Sequence, residues 1–185
     1  MPADQLEVRE RRSELWIWVL VAVATASVVG LAVLQGRRPS PALPSKPVPK
    51  IALPLLGGGQ SQLPEGKVTV VDFWATWCAP CRYSMPKVQQ LWREYQPRGV
   101  ELYSVDTDDA APDREHQVSE FLSRNGLTFP VVLDDGTASG AFGVASLPTM
   151  LLVDQSGTVV WKHVGSLSPP RERDLRAALD RVLQR

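Results

Sequence analysis

The stretch "VDFWATWCAPCRYSMP", Val71–Pro86, contains both cysteines of the 185-residue chain. It opens inside the run "KVTVVDFW", Lys67–Trp74, which is continuously apolar and rich in β-branched residues. Such a run reads as a strand buried on both faces. After Cys81, residues Val88, Leu91, Trp92 and Tyr95 recur at i, i+3, i+4 and i+7. That spacing predicts a helix, and Pro86 within it is expected to bend it. The two cysteines therefore fall where a strand gives way to a helix.

A structural zinc site requires four ligands, usually two such cysteine pairs or one pair with two nearby histidines. The chain has two cysteines, and its histidines, His116 and His163, lie in separate predicted elements. Covalent haem requires a histidine directly after the second cysteine, and that residue is Arg82. A disulfide closing so short a loop removes little chain entropy, so a purely structural bridge is a poor use of the pair. A redox couple explains the spacing. Positions i and i+3 share one face of the first helical turn, within reach of a disulfide. The first cysteine then sits at the helix N-terminus, where free N–H groups and the macrodipole stabilise a thiolate. Cys78 is the expected nucleophile and Cys81, one turn in, the resolving thiol. Pro80 presets φ in that turn and needs no N–H partner there. A peroxidase pattern, Pro-x-x-x-Thr-x-x-Cys, would need Pro at 71 and Thr at 75; the chain has Val71 and Ala75.

Further along, "VELYSVD" (Val100–Asp106) reads as a strand. Asp113 is expected to cap a helix with Val118, Phe121 and Leu122 on its apolar face, ended by Gly126. "FPVVLD" (Phe129–Asp134) is a short strand, and "TMLLVDQSGTVVWKHVG" (Thr149–Gly165) a hairpin turning at Asp154–Gly157. Ser168 and Pro169 open a last helix, as cap and first residue, with Leu175, Leu179, Val182 and Leu183 as its buried stripe. Strands alternating with helices and closing on a hairpin imply an α/β sandwich with a mixed sheet and helices on both faces. Gly57–Gly59 is a loop, because no Gly-Lys-Ser/Thr follows at phosphate-loop spacing. Asp106, Asp108, Asp109 and Asp113 lack the spacing of a calcium loop and read as a solvated loop. The two histidines read as surface or packing residues.

The net charge of zero hides an asymmetry. Residues 1–50 carry seven Lys or Arg against four Asp or Glu, and residues 51–185 carry thirteen against sixteen. An acidic domain gives no support for nucleic-acid binding. Leu15–Leu34 is twenty residues without a charge, with Arg9, Arg11 and Arg12 before it and Arg37 and Arg38 after it. A helix of that length spans roughly 30 Å, a hydrocarbon core. Trp16 and Trp18 lie near its first end, as interfacial rings do. The competing reading is a cleaved signal peptide at Ala24-Thr25-Ala26, but that site lies mid-run. An uncleaved anchor is expected, and the flanking charges do not choose its orientation. "QGRRPSPALPSKPVPK", Gln35–Lys50, has five prolines in sixteen residues and reads as an extended linker of roughly 50 Å. The expected organisation is a short tail (1–14), a transmembrane anchor (15–34), a linker (35–50) and one globular domain (51–185).

"VVDFWATWCAPC" resembles the active-site strand and loop of thioredoxins. The longer stretch from Phe73 to Asp106 resembles more specifically the membrane-anchored TlpA/ResA-type thiol–disulfide oxidoreductases. The resemblance runs from about Gln62 to Leu183 and includes "REHQVSEFLSRNGLTFPVVLD" (Arg114–Asp134) and "GVASLPTMLLVDQSGTVVWKHVG" (Gly143–Gly165). It implies a thioredoxin-like fold behind the transmembrane helix, and a redox disulfide of Cys78 and Cys81 with no further cofactor. It implies that Pro148 is the cis-proline facing the pair, presenting the Leu147 backbone to an extended substrate, with Thr149 beside it. It implies that Asp72 is the buried acid that takes the Cys81 proton, and that Trp77 shields the pair and contacts substrate. The implied substrates are disulfides of exported proteins, such as apocytochrome c or copper-centre cysteines. A membrane electron donor would resupply the pair on the periplasmic or extracytoplasmic side of a bacterial inner membrane. The chain departs from the family where Tyr83-Ser84 precedes Met85-Pro86, since an acid often stands there, and at Ala79, where some members carry Glu. The hairpin before the active-site strand is short in "IALPLLGGGQSQLPEGK" (Ile51–Lys67). Ala79-Pro80 between the cysteines is compatible with a reductase, an oxidase or an isomerase. A non-catalytic module gripping Cu(I) with both thiolates is the reading from another class.

Overall fold

The computed structural model describes residues 18–23, 25, 27, 48–63 and 66–184. Residues 18–23 are helical. Among the described residues no helix is long and apolar enough to cross a membrane. The tail at 1–14, most of the expected span at 15–34 and the linker up to residue 47 lie outside them.

The domain is built on a five-stranded sheet whose strands lie side by side in the order β5 (Val131–Leu133), β4 (Glu101–Asp106), β3 (Thr69–Trp74), β6 (Thr149–Val153) and β7 (Val159–Val164). Its centre is β3 (Thr69–Trp74), all six residues of which are buried. This is the continuous apolar run of the sequence, and it is apolar throughout because both faces are covered. β4 (Glu101–Asp106) lies parallel to β3, and β5 (Val131–Leu133) parallel to β4. β6 (Thr149–Val153) and β7 (Val159–Val164) form the antiparallel hairpin, with β6 against β3. A separate hairpin of β1 (Ala52–Pro54) and β2 (Gln60–Gln62) precedes them, with strands of only three residues. It turns through Gly57, Gly58 and Gly59, all at positive φ, which glycine adopts without a Cβ clash. The Leu56 N–H bonds Val131 O, so this hairpin covers the outer edge of β5.

Alternation along β3 divides the core in two. Val70 and Trp74 face α1 (Ala79–Tyr95), α2 (Arg114–Arg124) and α4 (Pro169–Leu183), packing with Met85, Val88, Leu91, Val118 and Leu179. Val71 and Phe73 face the opposite layer, with Leu53, Leu63, Tyr103 and Ala138 of the short helix α3 (Thr137–Ala141). Each fully buried side chain of this size contributes about 1.5–3 kcal/mol. The helices thus lie on both faces of a mixed sheet, as expected. α1 starts at Ala79 and continues through Pro86 to Tyr95.

The strand directions give the domain two poles. β3 ends at the cysteine pole, and β6 starts there. The turn Asp154–Gly157 lies at the other pole, where the Val48 N–H bonds Gly157 O at 2.9 Å. The C-terminal half of α4 is tied to the end of α1, with Asp180 accepting from Tyr95 and Arg98.

Three local expectations are corrected. Asp106 and Asp108 are buried, because they are consumed by internal hydrogen bonds described below; Asp109 and Asp113 are exposed. Asp113 occupies the cap position of α2, yet its carboxylate accepts from Gln117 Nε2 and makes no capping bond. Ser168 precedes α4 without a side-chain cap; its carbonyl accepts the Glu172 N–H instead. Of the histidines, His116 is exposed, and half-buried His163 bonds Ser166 O through Nε2 at 3.1 Å.

Candidate active site

The strand–helix junction places the two cysteines. Cys78 is the N-cap of α1, and its Sγ accepts the Cys81 N–H at 3.2 Å. The pair is closed as a disulfide with Cα atoms 5.2 Å apart. Cys78 is 4% exposed and Cys81 1%. With the disulfide opened, the same N–H and the N-terminus of a seventeen-residue helix act on a Cys78 thiolate. No acidic residue lies in the first turn of α1 to oppose that effect.

Beside the pair runs an open groove of about 460 Å³. Its lining includes Trp77, Cys78, Pro80, Thr107, Ser139 and the segment Val144–Leu147, and none of its lining residues is charged. Trp77, 67% exposed, lines it beside Cys78. The Leu147–Pro148 peptide bond is cis. No hydrogen bond from the described residues engages the Leu147 backbone, which leaves its N–H and C=O open to an added strand. Pro148 and Thr149 are buried behind it. The Pro148 carbonyl accepts the Gly165 N–H, and the Thr149 hydroxyl donates to Ser146 O at 2.6 Å. The structure thus brings Trp77, Cys78 and Leu147 together in the groove and puts Cys81, Pro148 and Thr149 behind its surface.

Asp72 lies six residues before Cys78, on the face of β3 that α1 covers, opposite Met150 of β6. It is 2% exposed, and its carboxyl makes no hydrogen bond with the described residues. Burial alone pushes its pKa from 3.8 to about 7. A carboxyl balanced there can take up or release a proton at neutral pH.

The sequence reading missed several residues of the site. Buried Ser84 donates to Pro80 O at 3.1 Å and accepts the Leu167 N–H at 2.9 Å. Lys87 Nζ, stacked on the Tyr83 ring, donates to Leu167 O. The loop before α4 is therefore pinned to the helix that carries the cysteines. Ser84 was legible only as a departure from the family's acid. Thr107, Ser139, Val144 and Ala145 carry no signal in sequence, since they reach the groove only through the fold.

A family model described as AhpC/TSA family matches residues 44–162. The thiol-disulfide oxidoreductase ResA of Bacillus thuringiensis (strain Al Hakam) is 31% identical over 160 residues, 84% of this chain and 90% of the relative. The thioredoxin-like protein YneN of Bacillus subtilis is 34% identical over 134 residues, 71% of this chain and 77% of that protein. A solved structure from Chlorobium tepidum, assigned as the thiol:disulfide interchange protein DsbE, superposes with a TM-score of 0.67 at 31% identity. The match covers 75% of this chain and 96% of that one. The fold is thioredoxin-like, and it carries a Cys-x-x-Cys pair closed as a disulfide. The chain belongs to the AhpC/TSA family and, within it, to the ResA-type thiol-disulfide oxidoreductases.

Proposed function

We propose that this oxidoreductase works as a disulfide reductase for exported proteins, tethered by residues 15–34 to the outer face of a bacterial inner membrane. The observation that carries the reading is Cys78 at the N-cap of α1, its Sγ facing the Cys81 N–H beside a groove with a free Leu147 backbone. A membrane donor first supplies two electrons and two protons, opening the Cys78–Cys81 disulfide. The Cys78 thiolate then attacks one sulfur of a substrate disulfide, held as an added strand along Leu147 and against Trp77. A mixed disulfide forms, and one substrate sulfur leaves as a thiolate. Asp72 takes the proton of Cys81, whose thiolate attacks Cys78 Sγ. The Cys78–Cys81 bond closes, the second substrate sulfur leaves, and the substrate has gained two electrons. Asp72 returns its proton to solvent or to the leaving thiolate. Likeness to ResA and to a DsbE-type interchange protein supports protein disulfides as substrates; those of exported proteins, such as apocytochrome c or copper-centre proteins, are the ones proposed.

Trapping tests this order of attack. Cys81→Ser leaves no resolving thiol, so mixed disulfides should accumulate on acid-quenched, non-reducing gels. Cys78→Ser should trap far less, because Cys81 is absent from the groove lining. Equal adducts on both variants would show that the nucleophile is misassigned.

A further inference from the structure

The loop that presents Trp77 and Cys78 is held from one side by the segment after β4. The Thr76 N–H lies 3.1 and 3.2 Å from the two carboxylate oxygens of Asp108. Thr107 gives both its N–H and its hydroxyl to Trp74 O, at 2.8 and 2.9 Å. Asp108 is itself held from behind, its N–H lying 3.4 Å from Oδ1 of fully buried Asp106. Arg114, the first residue of α2, fixes Asp106 in turn. It gives Nε to Asp106 Oδ2 at 2.8 Å, Nη2 to Asp106 O at 2.7 Å and Nη1 to Asp134 O at 2.8 Å. The Asp134 carboxylate receives the N–H groups of Ala138 and Ser139, at 2.8 and 2.9 Å, and the Ser139 hydroxyl. Ser139 lines the groove together with Cys78. One guanidinium therefore joins the loop of the nucleophile to the segment that forms another part of the groove.

Stability gives no reason for this arrangement. Three buried carboxylates lie along this chain, and the one buried guanidinium pairs with only one of them, that of Asp106; buried ionic groups of this kind are often matched or bettered by apolar packing. Its geometry does have a use, because the chain of bonds runs from Ser139 on the groove wall to Thr76, the residue before Trp77 and Cys78 of the same groove.

We propose that Asp108, held in place through Arg114 and Asp106, is a positioning residue. Its carboxylate fixes the Thr76–Cys78 loop so that the Cys78 sulfur meets the Cys81 N–H at the start of α1. The proposal rests on Cys78 being the nucleophile. It deepens that reading by naming what orients the sulfur.

Three substitutions in the full chain separate position from charge. Asp108→Asn keeps an acceptor for the Thr76 N–H and removes the charge. Asp108→Glu keeps the charge and displaces the acceptor by one methylene. Asp108→Ala loses both. The readout is the pH profile of iodoacetamide alkylation at Cys78 in the reduced protein, located by peptide mass, with circular dichroism as the check on folding. Asp72, buried on β3, and Arg82, which follows Cys81 on α1, are common to all variants. Positioning predicts that Glu and Ala shift the profile upward, with alkylation about threefold slower at neutral pH, while Asn stays at or below wild type. Arg114→Lys, which keeps its charge but not its three directed bonds, should move it the same way as Glu. If Ala fails to fold, the contrast between Glu and Asn still decides. A downward shift for Asn and Ala with Glu unchanged would make Asp108 a charge and not a positioner, overturning the proposal, as would four unchanged profiles. If wild-type Cys78 is alkylated no faster than Cys81, the assignment of the nucleophile fails instead.

Discussion

Asp72→Asn offers a test of the buried acid that needs no substrate. The folded protein holds this carboxyl at a pKa of about 7, against 3.8 when unfolded, and burial is the cause. The folded state therefore binds the proton more tightly than the unfolded chain. The stabilisation is fully present below pH 3.8 and is lost as the pH rises through about 7. At about 1.4 kcal/mol per pH unit, the whole effect is about 4 kcal/mol. About 3 kcal/mol of it falls between pH 5 and 8.5. An asparagine has no such proton. Urea unfolding of the oxidised full-length chain should show the variant gaining on wild type by that amount across the window. Using the oxidised form matters, because the disulfide-bonded cysteines then do not titrate. Asp106, also raised to about 7 by burial and by Asp108 against the opposing pull of Arg114, titrates in both proteins and cancels in the difference. Parallel stability curves for the two proteins would refute the argument that Asp72 is held near neutrality.

Ser84→Ala strands the buried Leu167 N–H, so it should cost about 1–3 kcal/mol in urea unfolding at pH 7. A loss below about 0.5 kcal/mol, the range of an ordinary surface change, would mean the bond is dispensable. For the proposed topology, an alkaline phosphatase fused after Arg185 should be active in a bacterial host. Activity of a cytoplasmic reporter at that position would overturn the outward orientation.

What the sequence shows and hides follows from where the determining forces act. β3 and α1 are legible because burial on two faces, or on one helical stripe, imposes a period on neighbouring residues. The cysteine junction is legible because its chemistry depends on a spacing of three. α3 is not, since "TASGA" has no apolar period and is started by hydrogen bonds from Ala138 and Ser139 to Asp134. Asp108 and Arg114 look like solvated charges for the same reason: the partners that allow their burial arrive from β4 and from the segments after β3 and β5. Asp72 is intermediate. Its place in an apolar strand marks it as unusual, and only the covering helix shows how thoroughly it is dried.

Both ends of the domain leave from one side. Val48 is fastened beside the turn that follows β6, and Asp180, near the end of α4, is fastened beside the end of α1. Cys78 and the cis-proline segment lie at the opposite end of the same strands. The molecule therefore has a handle side and a working side. A resin, a fluorophore or a second protein joined at Val48 or after Gln184 meets the domain at the end of the sheet away from Cys78. A folded client protein approaches the sulfur at the end of the domain away from Val48, and two domains held by that end on one surface turn their cysteines outward, not toward each other.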